Sequence, residues 1–375
     1  MNEDKATRYH RLRRRAGVGA LLVTGMAGVG LLATGWAGAI ARWSEGVTAA
    51  LAPDAGTFGL FVAAAVFVAT LGGLAELLTI PFDLFSGFLL ERRYGLSTER
   101  FGTYLIDRAK SAILALVVSC GLGASAVLLQ RASPDWWWAM AGAGLGLLSA
   151  AVVQLAPVLI LPLFDSFVPL ARSDLRQRLV DLAGRAGVPV IDAYEWQVST
   201  KTRRANAALA GLGHTRRVLL SDTLLASFSD DEIEVVLAHE LGHHARGDVW
   251  IGIAVETIWA LAACFAADRS FDLAVARGWP GRGEIAGLVV LALVLGGSAV
   301  LLAPVANALS RALERRADCF ALELSGRADA MVGALRRLGA MNLAEERPSR
   351  LVRWLLLSHP PIAERIAACR AHARP

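Results

Sequence analysis

Cysteine is scarce and scattered. The four residues, Cys120, Cys264, Cys319 and Cys369, form no C-x-x-C pair, which argues against a disulfide framework and against a cysteine-based metal site. No strong excess of charge is present either. The net charge is +5, and the basic residues gather at the ends of apolar stretches, as membrane orientation requires, so a nucleic-acid partner is not expected. Histidine is limited to seven residues. At that frequency a chance H-E-x-x-H match has a probability on the order of one in a hundred. What the chain has in abundance is apolar character. Of its 375 residues, 55% are hydrophobic, and the mean hydropathy is +0.48. Both values lie above the usual globular range and point to a membrane protein.

Six apolar stretches have the length of membrane spans. They run over about 16–40, 58–80, 111–129, 136–163, 249–267 and 285–308. The first follows a basic tail (Lys5, Arg8, Arg11, Arg13, Arg14, Arg15) and is too long for an ordinary signal-peptide core, so it reads as an anchor. Residues 81–90 are apolar but contain Pro81 and Asp83, and could form a re-entrant segment or hide a seventh crossing. With the N-terminus inside, the inner segments collect the basic tail, Arg92, Arg93, Arg100, Arg108 and Lys110. That bias places both termini and the polar regions in the cytoplasm. Glu76 and Glu256 fall within or near spans. Charges there face a protein interior or a hydrated cavity rather than lipid.

The sequence at 239–243 reads His-Glu-Leu-Gly-His. His239 and His243, four apart, share one face of a helix and can hold one zinc ion. Glu240 is placed to act on a water as general base. Ser229 and Glu232 form a capping-box pattern, with Phe228 and Ile233 as its hydrophobic staple. Gly247 is a plausible stop. His244 points about 100° away on the helix and reads as non-ligating. Asp230, Asp231, Glu232 and Glu234 precede the motif, and Arg246 and Asp248 follow it, so it lies outside the lipid.

The surrounding polar region, 166–248, is a soluble insertion. A helix is expected over 173–186, extended segments over 188–198 and 206–211, and a strand over 217–221. An edge strand beside a zinc helix can hold an extended peptide by backbone pairing, and the run from Asn206 to Gly211 is the candidate. After the sixth span, Glu314 and Asp318 lie four apart on one helical face. Glu314 can supply the third ligand that a catalytic zinc needs, and Asp318 can accept a hydrogen bond from a ligand histidine. Ser358-His359-Pro360-Pro361 and Glu364-Arg365 come last. His10, His214 and His372 stand in polar or basic surroundings without a special claim.

Together these pieces resemble the integral-membrane CAAX prenyl protease type I family, with its bacterial relatives, over about residues 80–370. Glu91, Arg93, Gly95, Gly102, Asp107 and Lys110 match one family stretch, and Pro157, Pro162-Leu163-Phe164, Phe167 and Pro169-Leu170 a second. Asn206-Ala207, Gly211 and the run 220–225 match a third. HELGH, the S-R-x-x-E-x-x-A-D run at 310–318 and S-H-P-P-x-x-E-R at 358–365 complete the set. Arg92 and Ser97 depart from the family pattern, which often has Glu and Asn there. The resemblance implies a mainly α, polytopic membrane protein. Its transmembrane helices would enclose a chamber, with an inserted zincin-like α+β catalytic region. It implies one Zn2+ per chain on His239, His243 and Glu314, Glu240 as base, and Asp318 and His359 as supporting or intermediate-stabilising groups. It places Asn206 and Ala207 against the substrate backbone.

The expected division is a tail (1–15), transmembrane helices one to four (16–165) and the catalytic insertion (166–248). Helices five and six (249–308) and a C-terminal catalytic segment (309–375) follow. The expected activity is that of a zinc endopeptidase acting on peptides or membrane-associated proteins, with the lipid bilayer as its other partner. Richness in Ala, Gly and Arg suits a bacterial inner membrane. A quality-control membrane protease resembling HtpX would share the chemistry but cut misfolded membrane proteins. A peptide-binding or transport protein with a structural zinc would have no use for Glu240, which is not a ligand.

Overall fold

The computed structural model describes residues 4–51, 53–211, 215–346 and 348–372. The basic tail is helical. Helix α1 (Lys5–Ala33) carries it straight into the first apolar stretch. That stretch ends before residue 40, at Thr34 and Gly35, where Gly35 takes φ +76°, a left-handed conformation that glycine adopts without strain. A further helix, α2 (Trp36–Leu51), stands where an outer loop was expected. Its buried face is built from Ala37, Ala41, Ser44 and Thr48, whose 4-3-4 spacing keeps them in one stripe. These small residues let it pack closely on α3 (Gly56–Asp83), while Trp36 and Trp43 stay exposed. Sixteen residues make a helix about 24 Å long, short of the hydrocarbon thickness.

Residues 81–90 make no crossing of their own. Pro81 removes one helical hydrogen bond. The helix nevertheless continues through a widened π-helical turn (Leu84–Leu89) into α4 (Leu90–Arg93). Helices α5 (Phe101–Ala132) and α6 (Trp137–Leu155) follow. A second π-helical turn (Ala156–Ile160), carrying Pro157, leads into the short α7 (Leu161–Phe164). Among the described residues six helical segments are long and apolar enough to cross a membrane, as expected. Glu76 and Glu256 both have partners. Glu76 pairs with Arg108 at 2.5 Å, which also reaches Asp83 at 2.7 Å, and Glu256 accepts a hydrogen bond from Ser149.

The insertion builds a four-stranded sheet with order β1-β2-β4-β3. Strand β1 (Ser166–Pro169), which the sequence reading did not include, runs antiparallel to β2 (Asp192–Gln197). Between them lies α8 (Ser173–Arg185). Strand β3 (Ala207–Ala210) lies at the edge and runs antiparallel to β4 (Arg217–Ser221), which is parallel to β2. The short α9 (Asp222–Ser227) leads to α10 (Asp230–Ala245), which bears the histidines. Helix α11 (Asp248–Ala276) then enters the membrane. Helix α12 (Leu288–Ser325) leaves it without a break, so one continuous helix carries both lipid-facing residues and the Glu314–Asp318 face. Three further helices, α13 (Ala328–Met341), α14 (Arg350–Leu356) and α15 (Ile362–His372), close the catalytic region. Its core joins Leu179 and Leu182 of α8, Val218 and Leu220 of β4, Ile233 and Leu237 of α10, and Leu335 of α13. This packing clamps α10 between the sheet and α12.

Candidate metal centre

The start of α10 is fixed locally. The Ser229 hydroxyl accepts from the Glu232 backbone N–H, and the Glu232 carboxylate accepts from that of Ser229. This reciprocal cap satisfies two helix-end donors. Arg337 of α13 holds Glu232 at 2.9 Å. Phe228 and Ile233 are both buried in the core. With its first turn anchored, α10 presents His239 and His243 on one face, ring centroids 4.9 Å apart and planes perpendicular.

Glu314 of α12 faces that pair. Its carboxylate oxygens lie 3.4 Å from His239 Nε2 and 3.4 Å from His243 Nε2. One donor atom from each of the three falls within 4.8 Å of the others. Each imidazole is backed by a carboxylate: His239 Nδ1 is 2.9 Å from Asp318 Oδ1, and His243 Nδ1 is 2.8 Å from Asp248 Oδ2. Those contacts make Nδ1–H the donor and turn Nε2 inward, where it can offer its lone pair to a metal once it gives up its proton. The carboxylates are themselves held. Arg316 reaches Asp248 at 2.9 Å, and Arg365 of α15 grips Asp318 with two hydrogen bonds of 2.6 and 2.8 Å. Glu314 Oε2 is buried, with His359 Nδ1 3.0 Å away. Two inward imidazole nitrogens and one such oxygen suit a divalent metal of nitrogen and oxygen preference.

The electrostatics fit the same use. Burial alone would lower His239, but the Asp318 and Glu314 carboxylates outweigh it and hold the imidazole up to about 9. His243 is likewise raised, because Glu314 and Asp248 offset its burial. Glu240 is raised by burial, against the lowering effect of the two histidines. His244 is pushed down to about 4 by burial and by Arg216, and stands outside the cluster.

Sequence and structure agree on where most of these residues go. His239, His243, Glu314, Asp318 and His359 come together, with Glu240 next to His239 on α10. Asn206 and Ala207 stand at the start of the edge strand. Since the Ser221 N–H donates to the Asn206 carbonyl, residues 206, 208 and 210 turn their backbone groups toward β4. The groups of Ala207 and Leu209 therefore point away from β4, and the Leu209 backbone is taken by the His244 ring. Asp248 and Arg365 were not singled out. Asp248 follows the helix stop at Gly247 and looked like a flanking charge, and Arg365 lay in a motif with no assigned contact. His10 bonds the Leu343 carbonyl at 2.9 Å and takes no part in the cluster. His214 lies outside the described residues.

A helical membrane fold with a histidine–histidine–glutamate cluster on its polar face defines a membrane metallopeptidase. Comparison with known proteins agrees. The model of "Peptidase family M48" matches residues 169–373, and that of "CAAX prenyl protease N-terminal, five membrane helices" matches residues 2–166. Five helices of sixteen residues or more (α1, α2, α3, α5 and α6) occupy that second range, and all of them but α2 belong to segments long and apolar enough to cross a membrane. The uncharacterized metalloprotease YhfN of Bacillus subtilis is 30% identical over 313 residues, 80% of this chain and 71% of its own. A CAAX prenyl protease 1 homolog of Arabidopsis thaliana is 29% identical over 310 residues, 80% of this chain and 72% of its own. The crystal structure of S. mikatae Ste24p superposes with a TM-score of 0.83 at 22% identity, covering 97% of this chain and 87% of that one, and shows the shared fold. The chain belongs to peptidase family M48.

Proposed function

We propose that the protein is a zinc-dependent endopeptidase with one zinc per chain, held by His239, His243 and Glu314. The observation that carries this reading is the convergence of two Nε2 atoms and a buried carboxylate, each imidazole oriented by its own carboxylate. Bound zinc would supply Lewis-acid polarisation of a water and of the scissile carbonyl. Glu240 takes a proton from the attacking water and passes it to the leaving amine. Its burial raises the carboxyl, the direction that suits a group that must both accept and release that proton. Asp318 and Arg365 keep His239 in register. The Asn206 side chain and the outward backbone of Ala207 receive an extended substrate. The substrates are peptides or membrane-associated proteins, a class suggested by relatives named CAAX prenyl proteases.

The active site faces the cytoplasm of a bacterial cell, in its inner membrane. Arg14 pairs with Glu345 and Tyr9 with Arg204, so the basic end of α1 and the catalytic region share one side of the bilayer. Basic residues mark that side as the inner one. Purified protein should contain about one zinc per chain, and chelation should abolish peptidase activity that added zinc restores. Activity that persists in metal-free protein would refute the assignment. Because zinc must displace the proton His239 holds up to about 9, affinity should fall on acidification. The expected slope is about tenfold per pH unit for each proton displaced. Competition with a chelator between about pH 6 and pH 9 measures this slope, and a flat profile would count against it.

His359 is 63% exposed at its side chain, whereas the three ligands are largely buried. A fourth ligand would close the position a catalytic zinc keeps open. His359 therefore serves as a hydrogen-bond donor to the oxyanion, with Pro360 and Pro361 limiting its backbone. His359→Ala should lower kcat by about a hundred- to a thousand-fold with little change in KM and full zinc content. Wild-type turnover would remove it from the mechanism, and lost zinc would make it a ligand.

A further inference from the structure

The backbone that leads into the edge strand is held by the N-terminal helix along two routes. In the first, Tyr9 of α1, 0% exposed, donates its hydroxyl hydrogen to Glu91 and accepts from Arg204 at 2.7 Å. Arg204 also reaches both Glu91 carboxylate oxygens at 2.9 Å, and its guanidinium lies 5.9 Å from the Tyr9 ring centroid. In the second, His10 Nε2 is 2.9 Å from the Leu343 carbonyl and Arg14 pairs with Glu345 at 2.8 Å. The neighbouring Asn342 donates from Nδ2 to the Ala205 carbonyl at 3.2 Å. Leu343 has φ +52°, the one left-handed non-glycine residue among those described, and packs with Tyr9 and Leu12. Such a conformation persists only where the surroundings impose it. The two routes end on consecutive residues, Arg204 and Ala205. The Arg204 carbonyl is fixed in addition by the Thr223 hydroxyl at 2.7 Å. Asn206 comes next.

We propose that the basic end of α1 is a positioning element for the substrate. Tyr9, Glu91, Arg204 and Asn342 fix the backbone at 204–205 and so set how Asn206 and Ala207 meet an incoming peptide. The proposal rests on the reading of β3 as the substrate-binding edge. A strand four residues long offers few outward groups, and a one-residue slip would exchange the outward set for the paired one. The Tyr9–Glu91–Arg204 cluster opposes such a slip, because drawing Arg204 away would part its guanidinium from the Glu91 carboxylate and from the Tyr9 hydroxyl. Among the described residues, none of the four positioning residues has a hydrogen bond or ion pair with His239, His243 or Glu314. Their effect therefore falls on substrate capture and not on the metal.

The test uses the full-length, zinc-loaded protein and a fluorogenic peptide that the wild type cleaves. Tyr9→Phe removes the hydroxyl of the first route and keeps the ring, and Asn342→Ala cuts the second. Each should raise KM about tenfold, with kcat within about twofold and zinc content unchanged, the signature of lost binding that is equal in ground and transition states. The substitutions lie on separate routes, so either suffices if the other protein is not recovered folded. Ala207→Pro, which deletes the outward N–H on an edge where proline is tolerated, tests the underlying reading. An unchanged KM in Ala207→Pro would show that β3 is not the substrate edge, and both ideas would fall. A raised KM in Ala207→Pro beside wild-type KM in Tyr9→Phe and Asn342→Ala would overturn the proposal alone. Loss of zinc in those two variants would also overturn it, because the cluster would then be supporting the metal.

Discussion

Glu240→Gln should leave zinc in place and reduce kcat by about a hundred- to ten-thousand-fold, the range that general acid–base catalysis contributes. The amide preserves the size and burial of the side chain but cannot take a proton from water. Glu240 is not among the residues whose donor atoms converge, so the ligand set survives the change. The carboxyl is raised by burial, and the activity of the wild type should rise with pH as that carboxyl ionises. The substitution should remove this acid limb along with the activity. Wild-type turnover in Glu240→Gln would leave the protein a zinc-binding membrane protein without its proposed base. Loss of zinc would mean that the residue supports the site rather than the reaction.

Glu314→Ala should lose both zinc and all activity above background. Glu314 contributes the one carboxylate that faces both Nε2 atoms, at 3.4 Å from each. Two imidazoles alone do not make a catalytic zinc site of the usual three protein ligands. Its removal also leaves Arg365, 3.8 Å from Glu314 Oε2, facing a smaller negative charge, so the imidazoles gain a repulsive neighbour. Metal analysis after dialysis, with the thermal midpoint as a check on folding, decides the matter. Full zinc content in a folded Glu314→Ala protein would exclude the residue as a ligand.

The parts of this site legible in the sequence are those in which chemistry and spacing are local. His239 and His243 are one turn apart, Glu314 and Asp318 likewise, and the Ser229–Glu232 cap spans three residues. Helical geometry converts each spacing into a shared face, so no tertiary knowledge is needed. Residues whose meaning depends on a distant partner were not legible in the same way. Asp248 sits beyond a glycine stop and becomes informative only when α10 and α11 fold against each other. Arg365 reaches Asp318 across 47 residues of chain. Helix α2 was missed for a different reason. Its buried stripe is made of Ala, Ser and Thr rather than large apolar residues, so no apolar face stands out in the segment, and at sixteen residues it is shorter than a span. Residues 81–90 show the converse. Proline suggested a break, but the helix passes through it with a widened turn. Strand β1 has four residues and ends in Pro169, too short for an alternating pattern to stand out.

X-ray absorption at the zinc edge of the purified, zinc-loaded protein tests the central claim most directly. The account predicts two imidazole nitrogens at about 2.0–2.1 Å and only oxygen in the remaining shell, from Glu314 and solvent. His359→Ala should leave that spectrum unchanged. A sulfur shell near about 2.3 Å, or a third imidazole that disappears in His359→Ala, would contradict it.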